Sequence, residues 1–149
     1  MFRTHIVVGF LAALFLIEHI NYKNQILFTA LVVIGSLLPD IDHPKSKIGK
    51  NFKIISMFFE HRGFFHSLFV MPLLALIIFY LTRTNYYSIP LLTGYLSHIV
   101  MDLLTKEGVM LFHPLSKMRI RGLVKTGGIL EKILFFIILS FTILYLLNF

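Results

Sequence analysis

The stretch "LLPDIDHP", Leu37–Pro44, ends an apolar run with a proline, then places two carboxylates and an imidazole within four residues. A Pro-Asp pair alone is an ordinary helix stop, because proline removes a backbone donor and clashes with the preceding turn. Asp42 and His43 add more polar chemistry than a stop requires. The stretch is either a capped helix end or one edge of a metal site. Which of the two applies depends on the residues the chain brings near it.

The composition places those residues in a membrane. Of 149 residues, 57% are hydrophobic and 14% are charged, and the mean hydropathy is +0.83. A soluble domain carries about 25% charged residues. The formal charge of +7 would suggest nucleic acid in a soluble protein. In a membrane chain it is explained by basic loops kept on the cytoplasmic side, so no nucleic-acid partner is expected. With no cysteine, a disulfide framework and a thiolate metal site are both excluded, and any metal would need His, Asp or Glu. There is no internal repeat and no Ser/Gly linker, so residues 1–149 read as a single domain. The opening "MFRTHIVVGFLAALFLIEHI" resembles a signal peptide but is followed by no small-residue cleavage site. It reads as a retained helix.

Five apolar segments stand out: Ile6–Ile17, Ile26–Leu38, Ser67–Leu81, Ser88–Leu104 and Ile129–Leu147. Apolar residues run all round each one, as in a buried or lipid-facing helix, and do not alternate as in a barrel strand. The fold expected is therefore all-α: a multi-pass membrane bundle of about five spans. Several segments fall short of the ~20 residues of a straight span. Gly9, Gly35, Ser36, Gly94 and Ser97 are small enough to let helices approach closely. Gly108 is the expected end of the fourth helix. The stretch Gly49–Glu60 reads as a short amphipathic helix on the membrane surface or as a plain surface loop. With five spans, twelve of the fourteen basic residues fall on one side, leaving only Lys23 and Arg83 opposite. The N-terminus is then cytoplasmic and the C-terminus outside.

On that topology the ionisable residues gather at one membrane face. His5 opens the first span, Asp40, Asp42 and His43 close the second, and His61, Arg62 and His66 open the third. His98 and Asp102 end the fourth, and Glu131 opens the fifth. The sharpest local signal is "HIVMD", in which His98 and Asp102 stand at i and i+4 on one helix face, about 6 Å apart along the axis. Ionisable residues in an apolar span are costly and are by default paired or functional. The pair could hold a metal, or it could be a plain His–Asp hydrogen bond between helices. Carboxylates and imidazoles without thiolate suit zinc, manganese or iron. The expected ligands are Asp40, Asp42, His43, His66, His98 and Asp102, with His5 next. Arg62 could grip an anion bidentately, and Asp42 or Glu131 could accept a proton. Gly63 would allow the tight turn between His61 and His66; His61 reads equally as a ligand or a surface histidine, and His113, in a loop, reads as a lone surface histidine. Arg119, Arg121 and Lys125 could attract anionic headgroups.

"GSLLPDIDHPKSKIGK", "HRGFFHS", "GYLSHIVMDLLTKEG" and "FHP" occur in an order and spacing that resembles the bacterial membrane-bound metal-dependent hydrolases. These are YdjM-like inner-membrane proteins, also described as hydrolases regulated by LexA. The resemblance covers nearly the whole chain. It implies a multi-pass inner-membrane protein, a divalent metal (zinc first, manganese second, one or two ions) and a hydrolytic activity. More distantly, His98 and Asp102 resemble the His-x-x-x-Asp pair of zinc-dependent phospholipases C. Phe65 departs from the family in standing where a small hydroxyl residue often precedes the histidine.

Together these features lead to the expectation of a metal-dependent hydrolase at the cytoplasmic membrane face. Its substrate would be a phosphoester of a membrane lipid or lipid-linked molecule, attacked by metal-activated water. The alternatives are a metal or proton transporter using the same residues, and a non-catalytic scaffold whose metal staples helix ends. Oligomeric state is left open by the sequence.

Overall fold

The helices begin and end where local chemistry permits. The computed structural model describes residues 1–44, 46, 49–51 and 60–148. Among them are five α-helices: α1 (Phe2–Ile17), α2 (Gln25–Gly35), α3 (Val70–Thr82), α4 (Ser88–Leu103) and α5 (Ile129–Leu147). Asn24 caps α2, its side-chain oxygen accepting the Leu27 N–H at 2.9 Å. Pro72 and Pro90 lie in the first turns of α3 and α4, where a missing donor costs nothing. Arg83 closes α3 in the left-handed conformation, φ 56°. The described residues contain no strand, only isolated bridges at Thr105–Val124 and Val109–Ile120. These bridges fold the loop between α4 and α5 back on itself.

α1, α2 and α4 form the packed centre, with α3 laid against α4 and α5 against α1. Small residues set the distance between the central helices. A Cβ at Gly94 would fall 1.9 Å from the Val32 carbonyl oxygen, and one at Gly35 would fall 2.2 Å from that of Leu91. α2 and α4 therefore cross backbone to backbone. One apolar cluster, Ala13, Tyr22, Phe28 and Val32, fills the end of the bundle where α1 runs into α2. A second, Val70, Tyr95, Ile99 and Val109, packs between α3, α4 and the following loop.

Among the described residues, two stretches are long and apolar enough to cross a membrane: Gln25–Asp42, which is α2 with the turn that follows, and Ile129–Leu147, which is α5. α1 and α3 are apolar but shorter. α5 exposes Phe136, Ile137 and Phe141 by more than half, a surface suited to lipid and not to water.

Three details differ from the sequence reading. α2 ends at Gly35, and Pro39 opens a separate 3₁₀ turn, Pro39–Asp42, so that proline starts a turn instead of stopping the helix. α3 starts at Val70, and His66 lies before it in a 3₁₀ turn, Phe64–His66. α4 ends at Leu103, whereas Gly108, φ +64°, makes the tight turn beneath the loop, where a Cβ would meet the Ile120 oxygen at 2.2 Å. Of the expected surface helix Gly49–Glu60, residues Gly49–Asn51 form a 3₁₀ turn; residues 52–59 lie outside the described set.

Candidate metal centre

α1 starts, α2 and α4 end, and α3 starts at the same end of the bundle, so their terminal residues meet. His98 lies one turn below the Gly94 crossing. Its Nδ1 stands 2.7 Å from the Ser36 carbonyl oxygen at the end of α2. A carbonyl can only accept, so this nitrogen carries the proton and neutral His98 presents a bare Nε2. That atom lies 3.2 Å from His66 Nε2. Asp102 Oδ2 is 3.5 Å from His66 Nε2 and 3.8 Å from His98 Nε2. His5 stacks on His98 with ring centroids 3.7 Å apart and brings its Nε2 within 3.5 Å of Asp102 Oδ1. His5, His66, His98 and Asp102 are all buried.

Asp42 is fully buried beside them. Its Oδ2 accepts the Arg62 backbone N–H at 3.2 Å and faces His66 Nδ1 at 3.3 Å, and its Oδ1 pairs with His61 Nδ1 at 2.7 Å. His43, the third polar residue of the opening stretch, stacks on His61 at 4.1 Å. Burial, and then the neighbouring His61 ring, hold His43 below the ordinary histidine pKa.

Arg62 ties these pieces together. Its guanidinium grips Asp102 from two nitrogens, Nε to Oδ2 at 2.9 Å and Nη2 to Oδ1 at 3.0 Å, and Nη1 donates to Thr105 Oγ1 at 2.9 Å. Its backbone carbonyl accepts from Met110 N–H at 3.1 Å. Arg62 itself takes φ +62°, a conformation that costs an L residue about 1–2 kcal/mol. The tight turn falls on the arginine and not on Gly63, whose φ is −98°. Five contacts from one residue outweigh that cost.

Among the described residues, three overlapping groups could hold a cation, each with donor atoms within 4.8 Å of one another: His5, His98 and Asp102; Asp40, His66 and His98; and Asp42, His61 and His66. The donor chemistry fits. Two imidazole nitrogens and a carboxylate oxygen converge at 3.2–3.8 Å. Donors about 2.0–2.1 Å from a tetrahedral zinc would be about 3.3 Å apart. With Nε2 of His98 bare, a proton or a cation must lie between it and His66, or the two lone pairs repel.

The structure thus brings together six of the expected ligands: His5, Asp40, Asp42, His66, His98 and Asp102. His43 belongs to none of the three groups, and His61, which the sequence left as a surface histidine or a ligand, belongs to one. Glu131 stands apart. It faces the Met1 amino nitrogen at 3.1 Å and Thr4 Oγ1 at 3.3 Å. Thr105 binds Arg62, and His113 faces Phe64 away from the groups. The Arg62–Asp102 pair spans forty residues, and no local spacing signals it. A cavity of about 570 Å³ opens over this end of the bundle. Its wall includes His5, Asp40, His43, His61, Arg62 and Arg119.

A family model, YdjM inner membrane protein, matches residues 1–148. The chain belongs to this family. YvsG of Bacillus subtilis (strain 168) is 34% identical over 140 residues, which is 88% of this chain and 84% of that protein. Inner membrane protein YdjM of Escherichia coli (strain K12) is 47% identical over 93 residues, 55% of this chain and 46% of that protein. The match to YdjM of Shigella flexneri has the same extent. The aligned part is thus under half the length of these two YdjM proteins. No solved structure matches the chain. Membership in the YdjM family places the protein among inner membrane proteins, consistent with its two long apolar stretches.

Proposed function

We propose that this YdjM-family protein is a metal-dependent hydrolase. It would act at the cytoplasmic face of the inner membrane on a phosphoester of a lipid or lipid-linked molecule. The observation that carries the proposal is that each donor group reaches an open cavity through one residue, His5, Asp40 or His61, and that Arg62 and Arg119 share its wall. A metal that only stapled helices would need no such opening. His66, His98 and Asp102 would hold the ion, zinc by donor type, with His5 and Asp40 adjacent. Asp42 and His61 would complete a second position or serve the first from outside. A divalent cation there would supply a readily deprotonated water and offset charge on a leaving phosphate oxygen.

The remaining chemistry belongs to the chain. Arg62 holds Asp102 in one rotamer through a charge-assisted hydrogen bond from Nη2 and a 2.9 Å ion-pair contact at Nε. Ser36 fixes the tautomer of His98. Asp42 fixes His61 with its proton on Nδ1 and leaves Nε2 as a base at the cavity wall. Arg119, paired with exposed Glu60 at 2.9 Å, would exchange that carboxylate for an entering phosphate, while Arg62 stays committed to Asp102. The cytoplasmic placement rests on the strong bias of basic residues to this side. Transport is less well supported, because among the described residues the bundle beyond the donors is filled by apolar Ala13, Phe28, Val32 and Tyr22.

The test is turnover by purified protein in phospholipid nanodiscs. Release of phosphate or headgroup should require metal, stop on chelation, resume with zinc or manganese, and fall at least a hundredfold in His66→Ala. Metal bound in stoichiometric amount, with no metal-dependent release from any phospholipid or lipid-linked phosphoester in a broad panel, would sink the proposal.

A further inference from the structure

The loop between α4 and α5 carries features that the proposed chemistry does not use. It holds five basic residues, Lys106, Lys117, Arg119, Arg121 and Lys125, against a single acid, Glu107. That acid is engaged by Thr126 at 3.0 Å and by Arg62 at 3.5 Å. Antiparallel pairing of Val109 with Ile120 folds the segment into a finger. Side chains that water disfavours are exposed along it: Leu115 by 80% and Met118 by 59% at the tip, and Leu123 by 81% near its base. Lys117, Arg121 and Lys125, all exposed, are interleaved with them. In a soluble protein such an arrangement would be a liability.

Its position explains it. The Leu68 N–H donates to the Leu111 carbonyl at 2.9 Å, which pins the finger beside the start of α3. Exposed Phe112 then adjoins exposed Leu68 and Phe69, which lead into the apolar outer face of α3. The finger therefore continues the exposed apolar face of α3 past the start of that helix. Apolar side chains that insert, with cations between them, are the pattern of an interfacial anchor on anionic lipid. The same finger carries Arg119 into the wall of the cavity.

We infer that the finger around Leu115 docks into the membrane surface beside the cavity and selects anionic phospholipid headgroups there. Docking is a property of the loop's own charge and apolar tip, and does not depend on hydrolysis. Each basic residue removed is expected to weaken it about fivefold.

The chain has no cysteine, so Leu115→Cys gives the full-length protein a single site for a polarity-sensitive fluorophore. In nanodiscs of phosphatidylcholine with phosphatidylglycerol, emission should shift to the blue relative to phosphatidylcholine alone. The shift should be lost in Lys117→Gln/Arg121→Gln/Lys125→Gln. Raising salt from about 50 mM to about 500 mM should reverse it with all native charges in place, which keeps the test valid if the triple variant folds poorly. Chelation and His66→Ala, which test hydrolysis, should leave the shift unchanged. Water-like emission in both lipids overturns the inference, as does an equal, salt-insensitive shift in phosphatidylcholine alone or a shift that disappears on chelation.

Discussion

Asp102→Ala is expected to destabilise the protein by about 3–5 kcal/mol, because it strands the Arg62 guanidinium in a buried site. Arg62 and Asp102 are both buried and joined by two contacts of 2.9 and 3.0 Å. Arg62 has other partners, but Thr105 is uncharged and Glu107, 3.5 Å away, is half-exposed to solvent, which screens it. The loss would appear as a large drop in the denaturant midpoint in detergent or nanodiscs. Arg62→Met in the same background should recover much of it, since the double variant leaves no unpaired charge. A single-variant cost below about 1 kcal/mol, or no recovery in the double variant, would show that the pair does not carry this load. Metal affinity should fail in both variants, since the carboxylate is gone either way. Stability and binding thus separate: recovery of the fold without recovery of the metal identifies Asp102 as having both roles.

Gly94→Ala should lower both stability and metal affinity, though the residue touches no ligand. The added Cβ would meet the Val32 oxygen at 1.9 Å and the Ser36 nitrogen at 2.6 Å. Both are backbone atoms that cannot rotate aside, so α2 and α4 must separate. Overpacking of this kind costs about 1–3 kcal/mol. Separation also stretches the 2.7 Å bond from His98 to the Ser36 carbonyl, which sets the tautomer of a donor. Gly9→Ala is the comparison. Its nearest contacts are the Cβ and Oγ of the Ser36 side chain at 2.8 Å, and the hydroxyl can move, so its effect should be smaller. Melting temperature and calorimetric zinc titration of the two variants give the order directly. Equal or negligible effects would refute the backbone contact as the element that sets the site.

Composition and hydropathy are local properties, and what depended on them was legible. The five apolar segments correspond to α1 through α5 within a few residues, because a run apolar on every side has few stable forms outside a helix. The gathering of His5, Asp42, His66, His98 and Asp102 at one end followed from their places at segment ends combined with alternating chain direction. The helix termini were less legible. Pro39 and Gly108 looked like stops but serve in turns beyond the helices. The Ser36 carbonyl is taken by His98 and the Leu104 carbonyl by the Val124 N–H, so α2 and α4 end before those residues.

By itself the sequence determined an all-helical membrane chain with imidazoles and carboxylates at one end and no thiolate. Which donors meet was decided only by tertiary structure. His61 joins Asp42 while His43 merely stacks on it, and Arg62 is turned onto Asp102 by a left-handed backbone that Gly63 could have taken instead. Glu131 reaches Met1 and Thr4 and not the donors. The physical reason is the same in each case. A helix face specifies direction to within a turn, but a ligand contact is settled at the scale of an ångström. That scale is set by how closely Gly35 and Gly94 let α2 and α4 cross.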